Sequence, residues 1–522
     1  MNLAFDLWIP CVCRNGTVQW ASLCACLTNE DIADLAVRPH ERVALMRFLL
    51  CVAHAALGIP ENFTAWQGCR KRLSEAVACY LTQWRDSFEL FHPEKPFLQI
   101  AGLRNAAKNG ESTPTSKLDF ALASGNNSTL FDHEALNPRR VVGSEKMALD
   151  LLTFQMFSPG GSTGSVAWNG QTMDRYSSDA PCVPGSMLHT FVRGTDLPET
   201  VWLNLLSADC LRDYATLGDD WRGRPIWEMF PQSPQDEAAV RNATRTFLGR
   251  MVPLSRAVLL QHDGTSMLLG NGLTYPAFNT ANQDFPPEPS ATVVLRMGEN
   301  DADERMTLGV QPSKSIWRQL HALTVQRGAH TPGGCLALTH ADDNDAKGVD
   351  LVVGGLARDQ ANIVDVVESV FHVPAPLFRT EGHELYAHEV KRAEDTEREG
   401  LAFAMERWRT VLDGGWATRL KLAGSNRNKE RTMLRAQASR DYWTSVERNL
   451  FLLMATLDAL GTDAYMPCKV TWRKMLQVSA LNAYTSACRG NNERQLRAFV
   501  AGEKVLFSQT NKILELHKED EA

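Results

Sequence analysis

Leu434-Arg435-Ala436-Gln437-Ala438-Ser439-Arg440-Asp441-Tyr442-Trp443-Thr444-Ser445-Val446-Glu447-Arg448-Asn449-Leu450-Phe451-Leu452-Leu453-Met454-Ala455-Thr456-Leu457-Asp458-Ala459-Leu460 carries an apolar residue at every third or fourth position. Leu434, Ala438, Tyr442, Val446, Leu450, Leu453, Leu457 and Leu460 fall on one face of a helix, tracing a single long stripe that needs partners to cover it. The flanking sequence supplies them. Helical periodicity also fits Glu381 to Leu412, Tyr465 to Cys488 and Glu493 to His517, with breaks at Asp413-Gly414-Gly415, Gly461-Thr462-Asp463 and Gly490-Asn491. Four helices joined by short polar connections predict a bundle from about residue 379 to 522.

Upstream the pattern changes. Leu7-Trp8-Ile9-Pro10-Cys11-Val12 and Thr17-Val18-Gln19-Trp20 flank Arg14-Asn15-Gly16 and predict a β-hairpin. Helices are expected over Pro39–Ala56, where Val43, Met46, Leu50 and Ala53 recur at helical spacing, over Trp66–Phe91, and over Ser144–Phe157. Phe191-Val192-Arg193-Gly194 opens another apolar stretch through Val201, Leu203 and Leu205. Between Ala257 and Gly355 the runs become short and β-like, as in Ala291–Arg296 and Leu351-Val352-Val353. The fold class is therefore α+β: a large mixed α/β N-terminal domain over 1–378, then a C-terminal four-helix bundle over 379–522.

Composition sets outer limits. The 522 residues, 44% of them hydrophobic, exceed what one simple core holds. A net charge of −7, from 54 Lys and Arg against 61 Asp and Glu, argues against a general basic coat for nucleic acid. No basic, apolar leader or membrane-spanning stretch is evident at the N-terminus, so the expected location is the cytoplasm, with no membrane partner. Twelve scattered cysteines read as buried thiols, and the C-x-C spacing of Cys11/Cys13 and Cys24/Cys26 suits zinc poorly.

Phe157-Ser158-Pro159-Gly160-Gly161-Ser162-Thr163-Gly164 is the candidate contact loop. Glycines permit close backbone approach to an anion or a groove, yet no Lys-Ser/Thr pair follows Gly164, so the run is not a P-loop. A plain connector and a contact loop both fit it. Catalytic signatures are lacking: Ser162 sits in no Gly-x-Ser-x-Gly elbow, His133 has no second histidine at helical spacing, and no metal ligand set or cofactor motif is found. One basic run, with Arg427, Lys429, Arg431 and Arg435, is either a solvated helix face or a track for a phosphate backbone.

The opening Leu7–Pro10 with its Arg14-Asn15-Gly16 turn, Pro96-Phe97-Leu98-Gln99, the Asn127–His133 loop, Phe191–Gly194 and Gly354–Ala361 together resemble, in order and spacing, the CasA family. This is the large subunit of the type I-E CRISPR Cascade surveillance complex. The resemblance runs over most of the chain and implies a non-catalytic protein that recognises the protospacer-adjacent motif in double-stranded DNA. Its implied partners are the other Cascade subunits, guide RNA, target DNA and a recruited helicase-nuclease. By position, Gly160, Gly161 and Ser162 correspond to the motif-reading loop at the minor groove. Asp359 and Gln360 correspond to a wedge that parts the first target pair. Asn127, Leu130, Phe131 and Asp132 correspond to a loop docking near the guide's 5′ end, with an internal packing anchor as the other reading of that segment. His262–Met267 departs from the pattern, carrying neither the lysine nor the nearby cysteines that some members have.

Overall fold

The structure is a computed structural model that describes residues 1–106, 112–122, 140–278, 285–297, 303–325, 334–340, 348–359, 362–414 and 426–516; side chains at 296, 297, 303, 359 and 426–431 are also outside the description. The chain divides into two compact units, Met1–Asp342 with Val349–His372, and Asp343–Gly348 with Val373–Ala522.

In the first unit, the Ile9–Cys13 and Val18–Ala21 strands pair antiparallel with Val12 opposite Val18. Gly16 makes the turn at φ +81°, a conformation a Cβ disfavours. The helix Pro39–Leu57 starts with proline in its first turn, and Glu41 reaches back to the Arg38 amide at 2.9 Å. The periodicity singles out one apolar face, but the helix is buried almost all round from His40 to His54. Burying a charged group there is costly unless it is paired. Arg47 and Arg250 both bind the Glu288 carboxylate at 2.6 Å, with all three side chains 3% exposed.

Other boundaries shift for local reasons. The expected Trp66–Phe91 helix runs instead over Phe63–Gln83, capped by the Asn62 side chain, and is followed by a separate 3-10 turn at Arg85–Phe88. The apolar stretch after Phe191 is a strand, Leu188–Arg193, then a helix, Leu197–Leu203, capped by Asp196. Leu188–Arg193 pairs antiparallel with Val349–Asp359, Phe191 opposite Val352, in a three-stranded sheet completed by Asn362–Val373.

The second unit is helical. Thr380–Asp395 and Ala402–Leu412 are joined through a π turn at Thr396–Leu401, then follow Asn426–Arg448, Leu450–Asp458, Tyr465–Cys488 and Glu493–Leu514. Ala438, Tyr442, Val446, Leu453 and Leu457 are buried, as the stripe requires. Its helix is not continuous, however: Asn449 leaves helical geometry at φ −108°, ψ 15° and divides it. Gly502 lets the last helix approach closely, because a Cβ there would lie 2.6 Å from the Ala404 carbonyl oxygen. Arg473 and Glu389 form a buried pair at 2.7 Å inside this unit.

Candidate nucleic-acid interface

The helix Ser144–Phe157 delivers the chain to the glycine loop. It ends at Ser158, whose amide still donates to the Phe154 carbonyl at 3.0 Å while its backbone turns extended. Arg256 then fixes the next two residues, donating from Nη2 to the carbonyls of Ser158 at 3.1 Å and Pro159 at 2.7 Å. This guanidinium is only 2% exposed. Burial pulls its pKa down to about 10, and the charge of Asp179 acts in the opposite sense.

Gly160 lies against a neighbouring segment. Its amide donates to Asp179 Oδ1 at 2.7 Å, and a Cβ at 160 would sit 2.9 Å from the Ser177 carbonyl oxygen. The amide is thus engaged by a carboxylate and is not a free donor for an incoming anion. Gly161 has the opposite character: it is exposed, a Cβ there would meet nothing within 4 Å, and its φ of +152° favours glycine. Gly161 and Ser162 pair with Ser177 and Tyr176 in a two-stranded ribbon, and Ser177 Oγ donates to the Gly161 carbonyl at 3.0 Å. Thr163 closes the far end through its amide, which donates to the Arg175 carbonyl at 2.7 Å.

Asp179 has a second partner. Arg358 donates to Asp179 Oδ1 at 2.9 Å and also to Oδ2, and the Arg358 amide donates to Ser186 Oγ at 3.1 Å. A two-pronged guanidinium–carboxylate pair fixes orientation as well as distance. Arg358 immediately precedes Asp359, where the Val349–Asp359 strand ends. One carboxylate therefore ties the glycine loop to the strand leading into the second predicted site.

The remaining predicted residues are distributed as follows. Asp359 is placed by its backbone at the strand end, while its side chain and Gln360 lie outside the described residues, as do Asn127, Leu130, Phe131 and Asp132. Arg427, Lys429, Arg431 and Arg435 are all on the Asn426–Arg448 helix; Arg435 is exposed, and the side chains of the other three are outside the description. Arg440 and Arg448 are exposed on the same helix. Sequence reading missed Asp179 and Arg256, since neither stands in a motif. It quoted Arg358 only as part of a run.

Among the described residues no group of three or more His, Cys, Asp or Glu side chains is arranged to hold a metal ion, and Cys11 and Cys26 instead make a buried thiol contact at 3.6 Å. Nor is any described helix long and apolar enough to cross a membrane.

Comparison with known proteins gives consistent matches over nearly the whole chain. A CRISPR-associated protein CasA/Cse1 of Thermus thermophilus is 28% identical over 526 residues, covering 96% of each chain. The crystal structure of CasA from Thermus thermophilus superposes with a TM-score of 0.73 at 24% identity, covering 98% of this chain and 99% of that one. Cse1 from Acidimicrobium ferrooxidans gives 0.75 at 17% identity, covering 99% and 98%. A chain from a structure described as a CRISPR RNA-guided surveillance complex gives 0.67 at 17% identity, covering 97% and 99%. The model of the family described as CRISPR-associated protein Cse1 matches residues 2–483, and the chain belongs to that family.

Proposed function

We propose that this protein is the non-catalytic large subunit of a type I-E CRISPR Cascade surveillance complex, and that it reads the protospacer-adjacent motif of double-stranded DNA from the minor groove. In such a division of labour the protein reads a short motif and guide RNA reads the rest by base pairing. Gly161 and Ser162 form the groove-facing tip, and Gly160 is the residue that lets the tip sit close to its support. A narrow groove with a degenerate set of acceptors suits a slim ribbon with few side chains.

Asp359 and Gln360 act next, parting the first base pair beside the motif and starting the R-loop. The segment with Asn127, Leu130, Phe131 and Asp132 docks the subunit near the guide RNA and its neighbouring subunits. Arg427, Lys429, Arg431 and Arg435 follow a phosphate backbone. The opened complex then recruits the helicase-nuclease.

The observation that carries this reading is the Asp179 link between the Gly160 amide and the Arg358 guanidinium. It supports coupling between motif contact and the wedge, because a shift at one end changes the hydrogen bonds that hold the other. The same carboxylate speaks against a nucleotide-binding enzyme, since a phosphate cradle needs that amide free. The test is R-loop formation by the assembled complex on duplexes that differ only in the motif. Motif-dependent opening in wild type, diminished by Gly160→Asp and by Gln360→Ala, supports the proposal; opening indifferent to the motif contradicts it.

A further inference from the structure

Strand pairing places Tyr176 directly opposite Ser162, so the two side chains leave the ribbon on the same face. Ser177, the next residue, is buried, whereas Tyr176 is 76% exposed. One exposed aromatic means little by itself. Here it sits beside Arg175, which is also exposed and whose guanidinium has no hydrogen-bond or ion-pair partner among the described residues. The Arg175 backbone is nevertheless well fixed, since its carbonyl accepts from both the Thr163 amide at 2.7 Å and Thr163 Oγ1 at 3.2 Å. Asp174 is the nearest acid in sequence, and its Oδ1 is engaged by the Tyr176 amide at 3.0 Å.

We propose that Arg175 and Tyr176 form the second arm of the DNA-binding ribbon: Arg175 takes a backbone phosphate of the duplex, and Tyr176 packs its ring on the adjoining deoxyribose. This inference rests on the reading of Gly161 and Ser162 as the groove-facing tip. The chemistry fits duplex DNA because an exposed cation at the bend leading into the strand and an exposed amphipathic ring on the next residue, both on a fixed backbone, match the alternation of phosphate and apolar sugar along a groove wall. The contacts carry no sequence information, so they add affinity evenly while Gly161 and Ser162 supply the discrimination.

The experiment measures binding of the assembled complex, carrying the full-length chain, to motif-bearing and motif-lacking duplexes over a series of salt concentrations. For Arg175→Gln the expected result is a loss of roughly 3–10-fold on both duplexes, with the slope of log K against log salt shallower by about 0.9; Arg175→Lys restores the slope. For Tyr176→Ala it is a loss of about 5-fold or more with the slope unchanged. Both side chains are exposed, so neither truncation empties the core, and incorporation into the complex is checked by size-exclusion chromatography. If both variants bind like wild type while wild type still prefers the motif, the second arm is wrong and the tip assignment stands. If wild type itself shows no preference, the tip assignment fails and this inference fails with it.

Discussion

Gly160 and Asp179 are joined by a 2.7 Å hydrogen bond in which the glycine amide donates to Oδ1. The same oxygen accepts from Arg358 Nη1 at 2.9 Å, which places the loop amide and the guanidinium on one acceptor. The loop therefore has an anchored side, held by Asp179 and Arg256, and an exposed side at Gly161 and Ser162. Each side predicts a different response to substitution.

Gly160→Ala forces the loop away from the Ser177 carbonyl, because its Cβ would stand at 2.9 Å from that oxygen. Gly161→Ala meets no neighbour but keeps a φ of +152°, a strain of about 1–3 kcal/mol. Both variants are expected to fold, with motif-dependent DNA binding by the complex reduced at least 5-fold. Equal affinities for wild type and Gly160→Ala in a duplex-binding titration would sink the close-approach argument.

Asp179→Asn keeps an acceptor for the Gly160 amide but loses the charge that holds Arg358. Asp179→Ala loses both. The pair is partly exposed, at 22% for Arg358 and 27% for Asp179, so its effect on global stability is within about 1 kcal/mol. Strand opening is expected to fall in the order wild type, Asp179→Asn, Asp179→Ala, as read by permanganate reactivity of unpaired thymines. Identical reactivity in all three would separate the loop from the wedge.

Glu288→Gln leaves the guanidiniums of Arg47 and Arg250 buried without a compensating charge. Breaking a buried pair in this way costs about 3–5 kcal/mol. Burial acts to raise the Glu288 pKa, but the two arginines hold it down at about 2, against an ordinary 4.5. The stabilisation is thus fully present above pH 4.5 and lost as pH falls toward 2. Urea unfolding at neutral pH should show the full loss in the variant, and an unchanged midpoint would contradict it.

Buried histidines set a second acid limit. Burial lowers His54 and His189 to about 3 and His40 to about 4, from 6.5, so on acidification the unfolded chain takes protons that the folded chain refuses. Asp150, raised by burial from 3.8 to about 7, works the other way by taking its proton first in the folded state. His340, which burial lowers to about 4, acts in the same sense as the other three, so four groups oppose one and stability falls as the pH drops from 6 to 4. A melting temperature that is flat or rises over that interval would refute this balance.

Local features of the fold were readable from sequence wherever one short signal governs the backbone. Asn15-Gly16 marks the hairpin turn, and the Ser144–Phe157 and Tyr465–Cys488 helices span the residues their periodicity predicts. The break at Asn449 was not readable, because Leu450, Leu453 and Leu457 continue the helical spacing across it. The loop itself was visible in its glycines, but its anchor was not. Asp179 and Arg358 stand 179 residues apart in the chain, and no local pattern connects them. Arg256 reads as one more strand residue until its carbonyl partners are placed beside it.

Coupling between the glycine loop and the wedge is read most directly from R-loop formation by complexes carrying wild type, Gly160→Asp and Gln360→Ala, on duplexes with and without the motif. Rapid opening is predicted only for wild type on the motif-bearing duplex, with each variant slowed at least tenfold there, on the order of 1.4 kcal/mol in the barrier. Both variants opening that duplex at the wild-type rate would contradict the assignment of loop and wedge alike.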